Sequence, residues 1–190
     1  VVTRPKPSNA TLVAAVAWLV RHTLGTSLLA MRLPSALAGA ALVLLTGLLA
    51  RELGGGRFAM GLSALTTGLA FVYVVMHYLF TMNAFEPLFW TGCAYLVVRI
   101  VKTGDQRLWL GFGLLAGLGL QTKYSMAVFG VALVVGVLLG PQRRAFARPW
   151  IWLGGALAFL VFLPNLIWNV QQGWPCSERL KNVRASGRDV

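Results

Sequence analysis

Acidic residues are scarce: five, against seventeen basic ones, in a chain of 190 residues. Charge of either sign is scarce too, at 12%, about half of the roughly 25% that a soluble domain carries. There are two cysteines, Cys93 and Cys176, too few for a disulfide scaffold. The two histidines, His22 and His77, form no His- or Cys-rich metal motif. Gly54-Gly55-Gly56 lacks the following Lys-Ser or Lys-Thr of a nucleotide loop. No Ser-His-Asp constellation is suggested. No internal repeat stands out, and inverted repeats are the cue for many transporters. With 57% hydrophobic residues, a disordered chain is excluded.

What is present is a series of apolar blocks punctuated by Arg and Lys. Mean hydropathy is +0.71 and formal net charge +12. Nucleic-acid binding needs a basic face. Here the basic residues flank apolar runs, as they do around membrane helices, so no nucleic-acid partner is expected. Six blocks are free of Lys, Arg, Asp and Glu: Leu33–Ala50, Phe58–Phe80, Pro87–Val98, Leu108–Thr122, Tyr124–Gly140 and Pro149–Val170. A bilayer core needs about 20 helical residues. The first, second and sixth blocks meet this, and the fifth sits at the lower edge. The third meets it if its helix runs from near Asn83 to Val101, and the fourth only with its flanks. Ahead of them, Ser8 or Asn9 caps a helix to about Gly25, with Leu12, Val16, Leu19 and Val20 on one face. It reads as an amphipathic helix on the membrane surface, or as a frayed span.

The expected fold is therefore all-α. It is one polytopic transmembrane helical bundle of about six spans (residues 33–170), with a surface helix at 8–25 and an outward-facing tail at 171–190. Three internal loops, Arg51–Arg57, Arg99–Arg107 and Pro141–Arg148, hold most of the loop charge. The positive-inside rule places them in the cytoplasm. Thr81–Phe85 and Gln121–Lys123 then face outward.

Several polar residues collect on that outward side. Glu86 lies in Thr81-Met82-Asn83-Ala84-Phe85-Glu86-Pro87, one turn after Asn83. A carboxylate at membrane depth costs about 2.5–3.5 kcal/mol and faces a cavity as a rule; the competing reading is an interfacial Glu in headgroup water. Lys123, in Gln121-Thr122-Lys123-Tyr124, is placed to meet a phosphate as a point charge or to snorkel. Tyr124 adds a donor and a flat ring. His77 reads as a ligand, a base or, foremost, a helix–helix contact. Asn165 and Asn169 share a helical face, and Trp168 and Trp174 suit an aromatic belt. Glu52 and Asp105 read as solvated loop charge.

Taken in order, an amphipathic helix, Met31-Arg32-Leu33-Pro34-Ser35-Ala36-Leu37, the Thr81-Met82-Asn83 turn, Gly117-Leu118-Gly119-Leu120-Gln121-Thr122-Lys123-Tyr124, Leu163-Pro164-Asn165-Leu166-Ile167-Trp168-Asn169 and Gly173-Trp174-Pro175 resemble glycosyltransferase family 39. These membrane enzymes are similar to protein mannosyltransferases and to the lipid A aminoarabinose transferase. The resemblance spans nearly the whole chain. It implies a GT-C fold in the plasma (inner) membrane with its active face outward, toward the periplasm. It implies transfer of a sugar from a polyprenyl-phosphate donor to a lipid or protein acceptor, with membrane lipids as surroundings. Lys123 and Tyr124 match the family's Lys-Tyr near the carrier phosphate. Asn83 stands where many members hold an Asp; an amide is no base, and Glu86, one turn later, is the substitute. Arg32 matches the Arg that braces the first full span. The residue pattern calls for no cofactor beyond a possible divalent metal. Members carry an Asp-Glu loop ahead of the matched stretch and further spans after it, so the chain is expected to be an internal piece of a longer protein. The alternative is a transporter or lipid-binding membrane protein. A transporter should show charged or broken helices at mid-membrane, whereas here the unusual polar residues gather at the outward edge.

Overall fold

The computed structural model describes residues 11–171; the tail expected at 171–190 lies almost wholly outside them. Among the described residues the chain is helical throughout. The helices are α1 (Thr11–Thr23), α2 (Leu28–Glu52), α3 (Arg57–Leu69), α4 (Phe71–Tyr78), α5 (Met82–Thr103), α6 (Leu108–Thr122), α7 (Ser125–Leu139) and, after a 3-10 turn at Pro141–Ala147, α8 (Pro149–Gln171). A helix pairs most of its backbone groups internally, which is what a membrane demands of an apolar segment. The chain is a membrane protein with an all-α helical bundle.

Three helices, α2, α5 and α8, are long and apolar enough to cross a bilayer, or four spans if α3 and α4 count as one. The second apolar block is thus broken, as a bent span or a re-entrant loop: α3 and α4 meet at Ala70 and are bent by 56°. Its cause is local. The Thr66 and Thr67 hydroxyls donate back to the Leu62 and Ser63 carbonyls, and Ser63 does the same to Met60, a pattern that bends helices. Helices α6 and α7 have 15 residues each. At 1.5 Å per residue each is about 22 Å long, short of a core about 30 Å thick. They form a hairpin whose tip is Lys123-Tyr124.

Two apolar clusters hold the ends of the bundle. At one end Ala38, Ala84, Phe85 and Phe89 are buried under Leu12 and Val13 of α1. At the other Ile100, Trp109, Val137 and Ala145 pack beneath the 3-10 turn. The packed face of α1 includes Leu12, Val13 and the buried Val20, but Leu19 stays 54% exposed, so the face is rotated from the expected one. Residues 8–10 of the expected surface helix lie outside the described ones.

Helices α6 and α8 share the closest seam. A Cβ on Gly113 would lie 2.1 Å from the Gly154 carbonyl oxygen, and one on Gly154 would lie 2.3 Å from that of Trp109. The two backbones touch there. Gly113 and Gly117 form the small-xxx-small spacing that permits such approach. Glu52 is no free loop charge: Lys102 Nζ donates to its Oε2 at 2.9 Å and to its main-chain oxygen at 2.7 Å. That ties the last turn of α2 to α5 and satisfies a helix-end carbonyl. Asp105 Oδ1 accepts from the Arg107 N–H in a loop turn.

Candidate active site

At the end opposite Glu52, α5 begins within one residue of the predicted start, with Thr81 as its N-cap. This places Asn83 and Glu86 one turn apart on one face. The helix continues through Pro87, whose missing N–H deprives the Asn83 carbonyl of its usual i+4 donor. Helix α6 ends at Thr122, and Lys123 turns the chain in extended conformation into α7. The hairpin tip is thereby brought over the first turns of α5. Gln121 donates its Nε2 to the Val161 carbonyl and fixes the tip to α8.

The result is one cluster built from residues about 40 positions apart. Lys123 Nζ lies 3.0 Å from Glu86 Oε2 and 3.5 Å from Asn83 Oδ1. Ser125 Oγ donates to Glu86 Oε1. The carboxylate is therefore held on both oxygens, one by an ammonium and one by a hydroxyl. The Glu86 side chain is 19% exposed and that of Lys123 is 45% exposed. Such a half-exposed pair adds about 1 kcal/mol at most to stability. Its interest lies in placing a carboxylate and a cation side by side at the end of a membrane bundle.

Glu86 also lines a cleft of about 620 Å³ between the broken block and α5. Tyr73 and Met76 form its α4 wall; Asn83, Glu86, Trp90 and Thr91 form its α5 wall. Lys123 and Tyr124 are not among its lining residues. The carboxylate thus touches both the cation and the cleft. Tyr124 caps α7 and sets its ring edge-on to Phe162 of α8, 6.2 Å between centroids.

The other two expected residues form a second group, on the seam of α2 and α4. The Arg32 guanidinium sits 4.1 Å above the Tyr78 ring and its Nη2 donates to the Tyr78 hydroxyl at 3.0 Å. His77 presses on α2, where a Cβ on Gly39 would lie 2.9 Å from the imidazole. Its Nδ1 is 2.7 Å from the Tyr73 carbonyl oxygen. His77 thus packs against α2, but its hydrogen bond runs within α4 and not across to another helix. Asn165 and Asn169, both 1% exposed, do share a face: Asn169 Nδ2 donates to Asn165 Oδ1 at 2.6 Å.

Sequence reasoning missed Ser125, Tyr73 and Trp90. Ser125 was legible as the first residue of the helix that follows the Lys-Tyr pair. Trp90 was legible by its i+4 spacing from Glu86. Tyr73 was not, because the bend at Ala70 sets where α4 lies.

A divalent cation does not fit the donor set. Among the described residues no three His, Cys, Asp or Glu side chains come together. Glu86 already faces an ammonium, and Asn83 adds only a neutral oxygen.

No curated protein and no solved structure matches the chain. The family model described as dolichyl-phosphate-mannose-protein mannosyltransferase matches residues 8–168. That match takes in α1, the Arg32 segment, the Glu86–Lys123 cluster and most of α8. The chain belongs to this family of membrane glycosyltransferases.

Proposed function

We propose that the chain forms part of an enzyme that moves a sugar from a polyprenyl-phosphate carrier to an acceptor on the non-cytoplasmic face of the plasma membrane. The observation that carries this reading is the Glu86–Lys123 pair, with Asn83 and Ser125, beside a cleft at the end of the bundle away from the basic loops. Loop charge sets the orientation: the Arg51, Arg99 and Arg143 loops stay inside, so the pair faces out.

Sugar transfer needs a base for the acceptor and a cation for the leaving phosphate. Glu86 takes the first role. The acceptor hydroxyl gives its proton to the carboxylate as its oxygen bonds to the anomeric carbon. The bond from that carbon to the phosphate oxygen breaks, and polyprenyl phosphate leaves with the electron pair. Lys123 takes the second role, exchanging part of its contact with Glu86 for the phosphate charge. Ser125 and Asn83 hold the carboxylate and the ammonium in place. Tyr124 borders the phosphate, and Arg32, stacked on Tyr78, supplies a further cation at the same end. His77 supports the α4 wall beside the substrate.

The test is transfer of labelled sugar from a polyprenyl-phosphate donor in membranes that carry the full-length protein. Lys123→Ala and Glu86→Gln should each lower the rate about 100-fold or more while insertion is unchanged, the scale for removing one charge-stabilising donor or one general base. Full activity in both variants overturns the assignment.

A further inference from the structure

Resting on that reading, we propose that the cleft between α4 and α5 is the acceptor site and that the acceptor is a membrane lipid bearing a free hydroxyl, not a polypeptide. Three observations converge. Glu86 and Asn83 line the cleft, and Lys123, in contact with both, does not. A base placed in this way keeps the donor phosphate and the nucleophile apart. The walls are amphipathic. Asn83 and Glu86 line the cleft from the first turns of α5; Trp90 and Thr91 follow about one turn, or 6 Å, further along the helix, and Val72, Tyr73 and Met76 line it from α4. Trp90 is held by its ring against Phe129 of α7, 5.3 Å between centroids, and serves the cleft as an apolar wall.

The third observation is the opening. Val72 lines the cleft and is still 58% exposed. Its neighbour Phe71 is 79% exposed. The cleft therefore opens through the broken block toward the acyl region of a bilayer. A volume of about 620 Å³ suits one amphiphile of moderate size. A peptide would bring backbone N–H and C=O groups against Val72 and Met76, where nothing pairs them. The carboxylate in the cleft wall favours a neutral hydroxyl, which donates to it, over an anionic head.

The experiment uses the full-length protein in phosphatidylcholine vesicles doped with monohexosyl diacylglycerol and phosphatidylglycerol, a labelled polyprenyl-phosphate sugar, and a soluble peptide rich in Ser and Thr. Label is followed into lipid, peptide and water. The expected result is label in the hydroxyl-bearing lipid, the neutral one ahead. Val72→Trp and Met76→Trp, which fill the cleft from the exposed helix, should each cut lipid transfer at least tenfold and leave donor binding unchanged. Label in the peptide overturns the inference. So does lipid transfer that both Trp variants leave intact, or donor turnover that ends only in hydrolysis. If the wild-type protein neither binds nor consumes the donor, it is the transferase reading itself that falls.

Discussion

The α6–α8 seam yields a prediction that compares two neighbouring glycines. Gly154 and Gly155 sit on the same helix, one residue apart. A Cβ on Gly154 would lie 2.3 Å from the Trp109 carbonyl oxygen and 3.0 Å from its carbon, while one on Gly155 meets nothing within 4 Å. Carbon–oxygen contacts between helices settle at about 3.3–3.6 Å. Gly154→Ala must then push the two backbones apart by about 1 Å, because a main-chain carbonyl has no rotamer to swing away. A gap of that size forfeits a quarter to a half of each dispersion contact along the seam. With overpacking costs of about 1–3 kcal/mol, and up to about 1 kcal/mol recovered from helix propensity, Gly154→Ala should destabilise by about 2 kcal/mol. Gly155→Ala should be neutral, or stabilise by up to about 1 kcal/mol. The assay is reversible unfolding of the purified protein in bicelles, each variant against wild type. Gly154→Ala should also slow sugar transfer, since Gln121 anchors the Lys123 tip to Val161 on the displaced helix. If the two variants unfold within 0.5 kcal/mol of each other, α6 and α8 do not meet backbone to backbone, and the positioning of Lys123 argued from that seam fails with it.

Other expectations are narrower. Lys102→Ala removes a 48%-exposed partner of Glu52 and should leave bicelle unfolding indistinguishable from wild type, with sugar transfer unchanged; a clear loss of stability would give that end of the bundle more weight than its exposure allows. Gly104 caps α5 at φ 72°, so Gly104→Ala should cost about 1 kcal/mol in the same assay, and a neutral result would contradict that cap. Ser125→Ala leaves Glu86 Oε1 without its hydroxyl donor and should slow transfer about tenfold while donor binding through Lys123 is kept; loss of donor binding instead would assign Ser125 to the phosphate.

Why some of this was legible in the sequence and some was not follows from the range of the forces. The start of α5 was read within one residue from the length a span needs, and the spacing of Asn83 from Glu86 followed, because it is local. The ends of α6 and α7 were marked by Lys123, a charge that cannot sit in the middle of an apolar helix. The pairing of Lys123 with Glu86 was within reach for a further reason: α5 runs away from Glu86 and α6 runs back, so two polar breaks at one end are natural neighbours. The break in the second block was not read in this way. The run Phe58–Phe80 holds no Pro and has the length of one span, and hydropathy sums over length without sensing direction. Its signal lay in polar residues too weak to interrupt an apolar run, Ser63, Thr66 and Thr67, whose hydroxyls compete for main-chain carbonyls just ahead of Ala70. The bent helix then packs on α2 where Gly39 leaves room for the His77 ring, a contact between residues 38 positions apart. The same bend makes the α4 wall of the cleft. Residues at the tip of the site were thus written in local charge, while the space beside them was written in the small residues of another helix.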